Sequence, residues 1–141
     1  DLMKEMIRVA AGEPLSVKQE DIHLQGHAME CRINAEDPAH HFRPCPGVIE
    51  AIHLPGGNGV RIDTAAYNGY EIPPFYDSMI AKVIVHGRTR QEAIDKMRST
   101  LGELIIDGVT TNVDFQYEIL DNEDFQAGEI TTDFIPMHFN L

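Results

Sequence analysis

The stretch Gly26–Pro38, GHAMECRINAEDP, has the alternating pattern of a β-strand that buries one of its faces. If residues 28–34 are extended, successive side chains point to opposite faces of a sheet. The apolar face then comprises Met29, Cys31 and Ile33, and the polar face comprises Ala28, Glu30, Arg32 and Asn34. A guanidinium on a strand is held rigidly, and its planar fork suits paired oxygen acceptors. The pattern therefore indicates either a platform for an anionic or urea-like ligand or a solvated outer face of a sheet.

The composition indicates one globular domain. A chain of 141 residues, with 43% hydrophobic and 24% charged residues, is long enough to bury a core. Its net charge of −12 argues against nucleic acid or an anionic membrane surface as a partner. No apolar run approaches the roughly 20 residues that a membrane span needs, and no signal-peptide pattern opens the chain. The two cysteines, Cys31 and Cys45, form no CxxC pair, so we expect a reduced, cytoplasmic protein.

The first residues predict a helix and a connector that lead into this domain. Residues 1–11 carry apolar side chains at helical spacing, and Gly12 follows where a C-terminal cap is expected. Residues 16–20 form a polar linker in this interpretation, and Ile22–Leu24 is a candidate short strand. Because the chain opens in a helical pattern without an initiator Met, we expect it to be a piece of a longer protein.

Glycine and proline divide the next part of the chain into strands and turns. Val48–Leu54 and Val60–Asp63 flank the sequence PGGNG, which predicts a β-hairpin. These glycines lack the Lys-Ser/Thr pair that completes a phosphate-binding loop, and a strand rather than a helix follows them. We therefore predict a hairpin turn here and no nucleotide site.

The proline-punctuated segment 40–47 is predicted to be a surface loop. Its His40, His41 and Cys45 side chains are possible metal ligands, but no second pair of ligands follows at a zinc-like spacing. We expect no metal site in this chain.

The last third of the chain predicts helices. Thr89 and Glu92 match the capping-box pattern, and an apolar stripe continues from them to about Ile106. Asn112 is predicted to cap a second helix that runs to about Leu120. We also predict an extended segment at Ile72–Tyr76, an interior strand at Met79–His86, an edge strand at Val109–Thr111, an acidic loop at 121–129 and a final helical turn after Thr132 or Asp133. The fold class is therefore α+β, with helices packed on a small, mostly antiparallel sheet.

Few residues of this chain are suited to chemistry. Besides the polar strand face, Asp77 precedes an interior strand, where its carboxylate either points into a cleft or caps nearby backbone N–H groups. Lys82 lies within that strand and is expected to face outward. No nucleophile is paired with a base, and no glycine-rich loop leads into a helix with a Lys. The residues alone predict one wall of an active site, without the parts for a complete reaction.

Four motifs carry a resemblance to a known family. They are HAMECRINAEDP (27–38), FRPCPGVIEAIHLPGGNGVRID (42–63), YNGYEIPPFYDSMIAKVIVHG (67–87) and LIIDGVTTNVDF (104–115). In this order they resemble the C-terminal domain of biotin carboxylase, and the match covers nearly the whole chain. The CRINAED form resembles the bacterial acetyl-CoA carboxylase component more than the pyruvate or propionyl-CoA type.

The resemblance implies an ATP-grasp enzyme of three regions, of which residues 1–141 form the last single domain and residues 1–20 its helical lead-in from the region upstream. In that family, ATP and bicarbonate form carboxyphosphate, whose carboxyl group passes to N1′ of biotin on a carrier protein, the first half-reaction of acetyl-CoA carboxylase in fatty acid synthesis. The groups that bind ATP and Mg²⁺ lie upstream, so this chain alone is expected to be inactive. The implied partners are the biotin carboxyl carrier protein, carboxyltransferase subunits and a second copy of the full-length enzyme.

The resemblance also implies roles for single residues. The arginine of the family's ECRIN motif falls on Arg32, which in the family contacts biotin and bicarbonate and stabilises the ureido oxygen when N1′ loses its proton. Asp77 falls on an aspartate near the biotin pocket. Asn58 and Arg61 fall in the segment GGNGVR, which the bacterial enzymes use in a two-fold dimer interface and in which the family often has an aromatic where Asn58 stands.

Two further interpretations are open at this point. We infer from their shared strand face with Arg32 that Glu30 and Asn34 orient its guanidinium; this role does not come from the resemblance. The alternative function is an interaction module for dimerisation and carrier docking, or the same domain of a pyruvate or propionyl-CoA-type carboxylase.

Overall fold

Residues His27–Asn34 form a strand in a computed structural model, which describes residues 1–140. Leu141, which belongs to the predicted domain, lies outside the described residues. The helices are α1 (Leu2–Ala10), α2 (Arg90–Glu103), α3 (Val113–Asp121), α4 (Glu123–Ala127) and α5 (Phe134–His138). The strands are β1 (His27–Asn34), β2 (Glu36–Asp37), β3 (Arg43–Pro44), β4 (Gly47–Val48), β5 (Ala51–His53), β6 (Val60–Thr64), β7 (Glu71–Ile72), β8 (Met79–Gly87) and β9 (Ile105–Asp107). Short 3₁₀ turns occur at Gln19–Asp21 and Pro38–His40.

The main sheet has three antiparallel strands in the order β1-β8-β6. The other strands form two-stranded antiparallel ladders, β2 with β3, β4 with β7 and β5 with β9. Along β1, Cys31 and Ile33 are buried whereas Glu30 and Arg32 are exposed, as the alternation of the sequence predicts. The predicted α+β class, with a small, mostly antiparallel sheet, is confirmed.

Helix α2 covers the buried face of this sheet. The apolar stripe of the helix is buried at Ala93, Met97 and Leu101, and it meets Val83 and Val85 of β8 in the core. The Thr89 hydroxyl accepts a hydrogen bond from the Glu92 N–H at 3.1 Å, which confirms the predicted N-terminus. The Glu92 carboxylate accepts from the Arg88 N–H rather than from Thr89, so the capping box is shifted by one residue.

The predicted hairpin between Val48–Leu54 and Val60–Asp63 is wrong. Strand β5 pairs with β9, and β6 pairs with the long strand β8. The segment Val48–Leu54 is not one continuous strand, because the side chain of Ile49 is fully buried. The Ile49 N–H donates to the Tyr70 carbonyl, and the Ile49 carbonyl accepts from the Gly69 N–H. A glycine-rich turn reverses the chain, but burial of the flanking side chains selects the strand's partner.

Seven local predictions are also corrected. Ile22–Leu24 forms no strand, the helix predicted to reach Ile106 ends at Glu103, and the strand expected at Val109–Thr111 lies at β9 instead. Of the Ile72–Tyr76 segment, only Ile72 is in a strand and a turn follows at residues 74–75. The acidic loop contains α4, because the Asn122 side chain accepts from the N–H groups of Asp124 and Phe125. The predicted loop 40–47 contributes β3 to a ladder, and the polar linker ends in a 3₁₀ turn.

The lead-in helix α1 begins as predicted, with the Asp1 carboxylate accepting from the Lys4 N–H at 3.1 Å. None of its residues is buried, and Leu2 is 84% exposed. Its apolar side therefore faces outward from the remainder of residues 1–140. Among these residues, no helix combines the length and the apolar character that crossing a bilayer requires.

Candidate functional site

The exposed face of the main sheet gathers the charged residues of its three strands. Two cross-strand rows carry the charges, Arg32–Lys82–Asp63 and Glu30–Ile84–Arg61. The side chains on one face of neighbouring strands stand about 5 Å apart. The face therefore holds three cations and two carboxylates within one compact patch, in a chain that is acidic as a whole.

The Arg32 side chain is exposed on this face, with 66% of its surface accessible. Its Nε lies 3.7 Å from Oε1 of Glu30, a long and solvated ion pair that contributes little to stability. The loose pairing leaves the terminal N–H groups of the guanidinium available to an incoming acceptor. Glu30 is thus placed next to Arg32, and its orienting role stays a prediction.

The backbone of Arg32 is held much more firmly than its side chain. Nδ2 of Asn112 donates to the Arg32 carbonyl at 3.1 Å, and Oδ1 of Asn112 accepts from the Asn34 N–H at 2.9 Å. Nε2 of Gln116 adds a longer bond to the Arg32 carbonyl at 3.5 Å. The prediction of Asn112 as a side-chain cap needs correction. It stands at the N-cap position of α3, but its amide bonds to the strand and makes no capping bond.

The Asn34 side-chain amide points towards a neighbouring network. Its Nδ2 donates to Glu36 at 3.3 Å, and the other oxygen of Glu36 accepts from the Ser78 hydroxyl at 2.5 Å. The Ala35 N–H donates to the Ser78 carbonyl at 2.8 Å, so the same two segments are also joined through backbone. Sequence reasoning missed Glu36 and Ser78, because their contact joins residues 42 positions apart. The orienting role of Asn34 stays a prediction, now with Glu36 as the bonded neighbour.

Asp77 lies at the same end of the sheet as this network. Asn34 pairs with Met79 in the register of β1 and β8, and Oδ1 of Asp77 accepts from the Met79 N–H at 2.8 Å. This is the geometry of a strand-end cap. The Asp77 side chain is nevertheless exposed, beside the exposed rings of Phe75 and Tyr76.

Arg61 and Asp63 form a bidentate ion pair on β6. Nε and Nη2 of Arg61 lie 2.8 and 2.6 Å from the two oxygens of Asp63. The Arg61 hydrogen bond lowers the pKa of the Asp63 carboxyl, and the same bond raises the pKa of Arg61. Asn58 is exposed in the turn that precedes β6. The predicted interface residues thus lie at the opposite edge of the sheet from Arg32.

Gly59 fixes the position of the turn that carries Asn58. Its φ of +73° lies in the left-handed region, and a Cβ there would come within 2.6 Å of the His86 carbonyl oxygen. Only glycine fits so close to β8 in this conformation. The turn is therefore held against the sheet.

Neither cysteine nor histidine forms a metal cluster in the described part of the chain. Burial raises the pKa of the Cys31 thiol to about 12, and the Glu30 carboxylate acts in the same direction. Nδ1 of His40 lies 2.7 Å from Asp37, and residues 1–140 bring no three His, Cys, Asp or Glu side chains into a metal-binding arrangement.

Comparison with known proteins identifies relatives of this chain. Residues 30–137 match the family model described as the biotin carboxylase C-terminal domain. The chain is 54% identical over 135 residues to biotin carboxylase 1 of Bacillus subtilis (strain 168), covering 96% of this chain and 30% of that protein. It is 56% identical over 135 residues to a pyruvate carboxylase subunit of Methanothermobacter thermautotrophicus, covering 96% of this chain and 28% of that protein.

A solved structure shares the fold closely. The biotin carboxylase domain dimer of Hydrogenobacter thermophilus 2-oxoglutarate carboxylase, in complex with MgADP, ADP and bicarbonate, superposes with a TM-score of 0.95 at 46% identity. The match covers 98% of this chain and 30% of that one. The chain thus spans about three-tenths of the length of each of these relatives.

Proposed function

This chain belongs to the biotin carboxylase C-terminal domain family, and on that premise we propose that it forms the C-terminal part of an enzyme that carboxylates biotin with ATP and bicarbonate. The observation that carries the proposal is the exposed guanidinium of Arg32, standing on a rigid strand within the motif that the family model matches. ATP, Mg²⁺ and the first steps of the reaction belong to regions outside these residues. The solved relative was crystallised with MgADP and bicarbonate, which supports ATP, Mg²⁺ and bicarbonate as reactants of the whole enzyme.

Arg32 supplies a fixed positive charge where negative charge develops. When N1′ of biotin loses its proton, charge accumulates on the ureido oxygen, and a planar guanidinium stabilises it through paired N–H groups. By analogy with an oxyanion-hole donor, its removal costs about 10²–10³-fold in rate.

The neighbours of Arg32 have supporting roles in this proposal. Glu30 limits the directions that the guanidinium samples, and Asn34 with Glu36 fixes the end of the strand. Asp77 lines the biotin side of the cleft, with its exposed carboxylate carried by a capped turn. These assignments rest on the position of each residue around Arg32.

The biological setting forms a further part of the proposal. The full-length protein acts in the cytoplasm with a biotin carboxyl carrier protein and carboxyltransferase subunits, as the first half of acetyl-CoA carboxylase in fatty acid synthesis. Residues 1–20 are its lead-in, and a homodimer forms through Asn58 and Arg61. Similarity to a protein of the pyruvate carboxylase type supports that enzyme as an alternative setting.

A second candidate function is an interaction module for dimerisation and carrier docking. The Hydrogenobacter relative was solved as a domain dimer, which favours an assembly role for this fold. In that case the turn around Asn58 and the Arg61 edge would outweigh Arg32 in importance.

Substitution of Arg32 in the full-length protein tests the main proposal. We expect Arg32→Ala to reduce biotin carboxylation about 10²–10³-fold. Arg43→Ala is the matched control, because Arg43 is an exposed strand arginine away from the charged face. Carboxylation by Arg32→Ala at the rate of the Arg43→Ala control would remove Arg32 from the mechanism and favour the interaction module.

A further inference from the structure

The strand that carries Arg32 lies at the edge of its sheet, with β8 on one side only. An edge strand leaves one row of backbone N–H and C=O groups without a partner strand. The pairing with β8 also shifts register between Ile33 and Asn34, one residue beyond Arg32. Such an irregularity bends a strand and re-aims the side chains around it. The backbone at Arg32 therefore needs a second anchor to hold one geometry.

Asn112 takes the place of a neighbouring strand at this point. Its Nδ2 and Oδ1 atoms bond to the Arg32 carbonyl and the Asn34 N–H, and its own N–H donates to the Asn34 carbonyl at 3.2 Å. The side-chain amide therefore offers the donor and the acceptor that an adjacent strand would offer. Asn112 is only 4% exposed, so water has little access to compete for these groups.

We propose that Asn112 is a positioning residue for Arg32, clamping the edge of β1 onto α3 so that the guanidinium leaves the strand at a fixed height and direction. The inference rests on the proposed function of Arg32. Gln116, one turn further along α3, backs the clamp with its longer bond to the same carbonyl. Asn112 itself contacts no substrate, since its side-chain amide is buried and both of its polar atoms bond to the strand.

Loss of the hydrogen bonds from Asn112 to β1 should lower the rate of biotin carboxylation. Catalytic groups must be held within about 0.5 Å of the productive geometry, and a displacement of about 1 Å costs on the order of 10²-fold. We therefore expect Asn112→Leu, which keeps the branched shape of the side chain but removes both polar atoms, to lower biotin carboxylation about 10–100-fold. The KM for ATP should stay unchanged, because ATP binds elsewhere in the enzyme.

Hydrogen exchange in the full-length protein tests the clamp itself. The backbone N–H of Asn34 should exchange slowly in the wild type, and about tenfold or more faster in Asn112→Leu, since its side-chain acceptor is removed. Asn122→Leu is the matched control, because Asn122 caps α4 with the same side-chain chemistry and does not touch β1. Equal exchange at Asn34 in the wild type and Asn112→Leu would overturn the proposal.

A double-mutant cycle separates positioning from general stability. If Asn112 acts through Arg32, Asn112→Leu should cause little further loss of rate in an Arg32→Ala background. Fully additive losses would overturn the positioning role while leaving the role of Arg32 intact. Wild-type rates for Arg32→Ala alone would instead overturn the proposed function, and the positioning role with it.

A second variant keeps the test possible if Asn112→Leu misfolds. If Asn112→Leu does not fold, Asn112→Ser enters the same cycle and exchange measurement, because serine is favoured at an N-cap but its hydroxyl is too short to span both strand groups. The same outcomes then support or overturn the proposal.

Discussion

Arg32 and Lys82 stand directly opposite each other on the antiparallel strands β1 and β8, on the same outward face of the sheet. Like charges in this position repel, which is unfavourable for folding alone. Asp63 faces Lys82 from the other side, but its carboxylate is already engaged with Arg61. The pair therefore creates a local positive field in an acidic protein, and an anion bound there would relieve the repulsion.

Lys82 should strengthen the binding of an anionic substrate at this face. In the full-length enzyme we expect Lys82→Gln to raise the KM for bicarbonate about fivefold, the effect of removing one charge at about 4 Å in water. The increase should shrink at high ionic strength, because salt screens exposed charges. Lys18→Gln, which removes a charge from the lead-in, is the control. A KM unchanged from that of Lys18→Gln would show that Lys82 has no part in binding.

The hydrogen bonds from Arg61 should be what lowers the pKa of the Asp63 carboxyl. Arg61→Gln removes the hydrogen bonds that lower the pKa of Asp63, so this pKa should rise towards 3.8, the ordinary value of the group. In the wild type the pair's contribution to stability is present above that ordinary pKa and disappears as the pH falls through the lowered one. NMR titration of the Asp63 carboxyl carbon measures the shift. An unchanged pKa in the variant would assign the lowering to another cause.

The β6 edge should also matter for assembly. Arg61→Glu places a carboxylate beside Asp63, so the edge becomes strongly acidic, and a two-fold interface would bring two such edges together. We expect the full-length dimer to dissociate at least tenfold more readily, as measured by sedimentation at several concentrations. Arg88→Glu serves as a charge-matched control on a different surface. Identical dissociation in both variants would exclude this edge from the interface.

The two cysteines should differ in reactivity. Cys31 is buried and its thiol has a pKa near 12, whereas Cys45 is partly exposed, so a thiol reagent at neutral pH should label Cys45 at least ten times faster. Because folding raises the pKa of Cys31 above its ordinary value of 9.0, its contribution to stability is full below pH 9 and is lost as the pH rises towards 12. Cys31→Ala should flatten this alkaline loss in urea unfolding. Equal labelling of both thiols in the native protein would contradict the burial of Cys31.

Thr89 should be a measurable source of stability. Thr89→Ala removes the acceptor of the Glu92 N–H, which should lower the free energy of unfolding by about 1 kcal/mol. Thr110→Ala, at an exposed position outside any helix, is the control. Equal unfolding midpoints in urea for the two variants would show that the Thr89 cap does not contribute to the free energy of unfolding.

The isolated chain should be inactive. In the proposed function the groups that bind ATP lie outside residues 1–141, so the purified 141-residue chain should show neither bicarbonate-dependent ATP hydrolysis nor biotin carboxylation. Mixing it with ATP, Mg²⁺, bicarbonate and free biotin is a direct assay. Turnover above that of an Arg32→Ala version of the same chain would refute the proposal that the ATP-binding groups lie outside these residues.

Local patterns predicted the elements of this fold better than their pairing. The alternation around Arg32 and the cap at Thr89 involve residues within a few positions, and both were confirmed. The partners of β5 and β6 depend on the burial of the whole core, which no local pattern contains. Asn112 illustrates the limit most clearly. Its residue type suits a helix cap, but its bonds reach a strand 78 and 80 positions away.

In the candidate site, too, the sequence predicted the local features and missed those that depend on long-range contacts. Strand alternation placed Glu30 and Arg32 together, since both positions lie on one face by geometry alone. It also placed Asn34 with them, but a register shift occurs between Ile33 and Asn34, and the Asn34 side chain bonds to Glu36. No sequence signal marks such a shift, because it arises where β1 meets a particular residue of β8.

Alternation along β1 also limits how this site can change during evolution. Arg32 stands between two buried core residues, Cys31 and Ile33, so inserting or deleting one residue would exchange the core with the charged face. New specificity in this stretch must therefore come from substitution at a constant length. Among relatives, we expect gaps to collect in the turn regions, such as residues 38–42, while the spacing of the strand is kept.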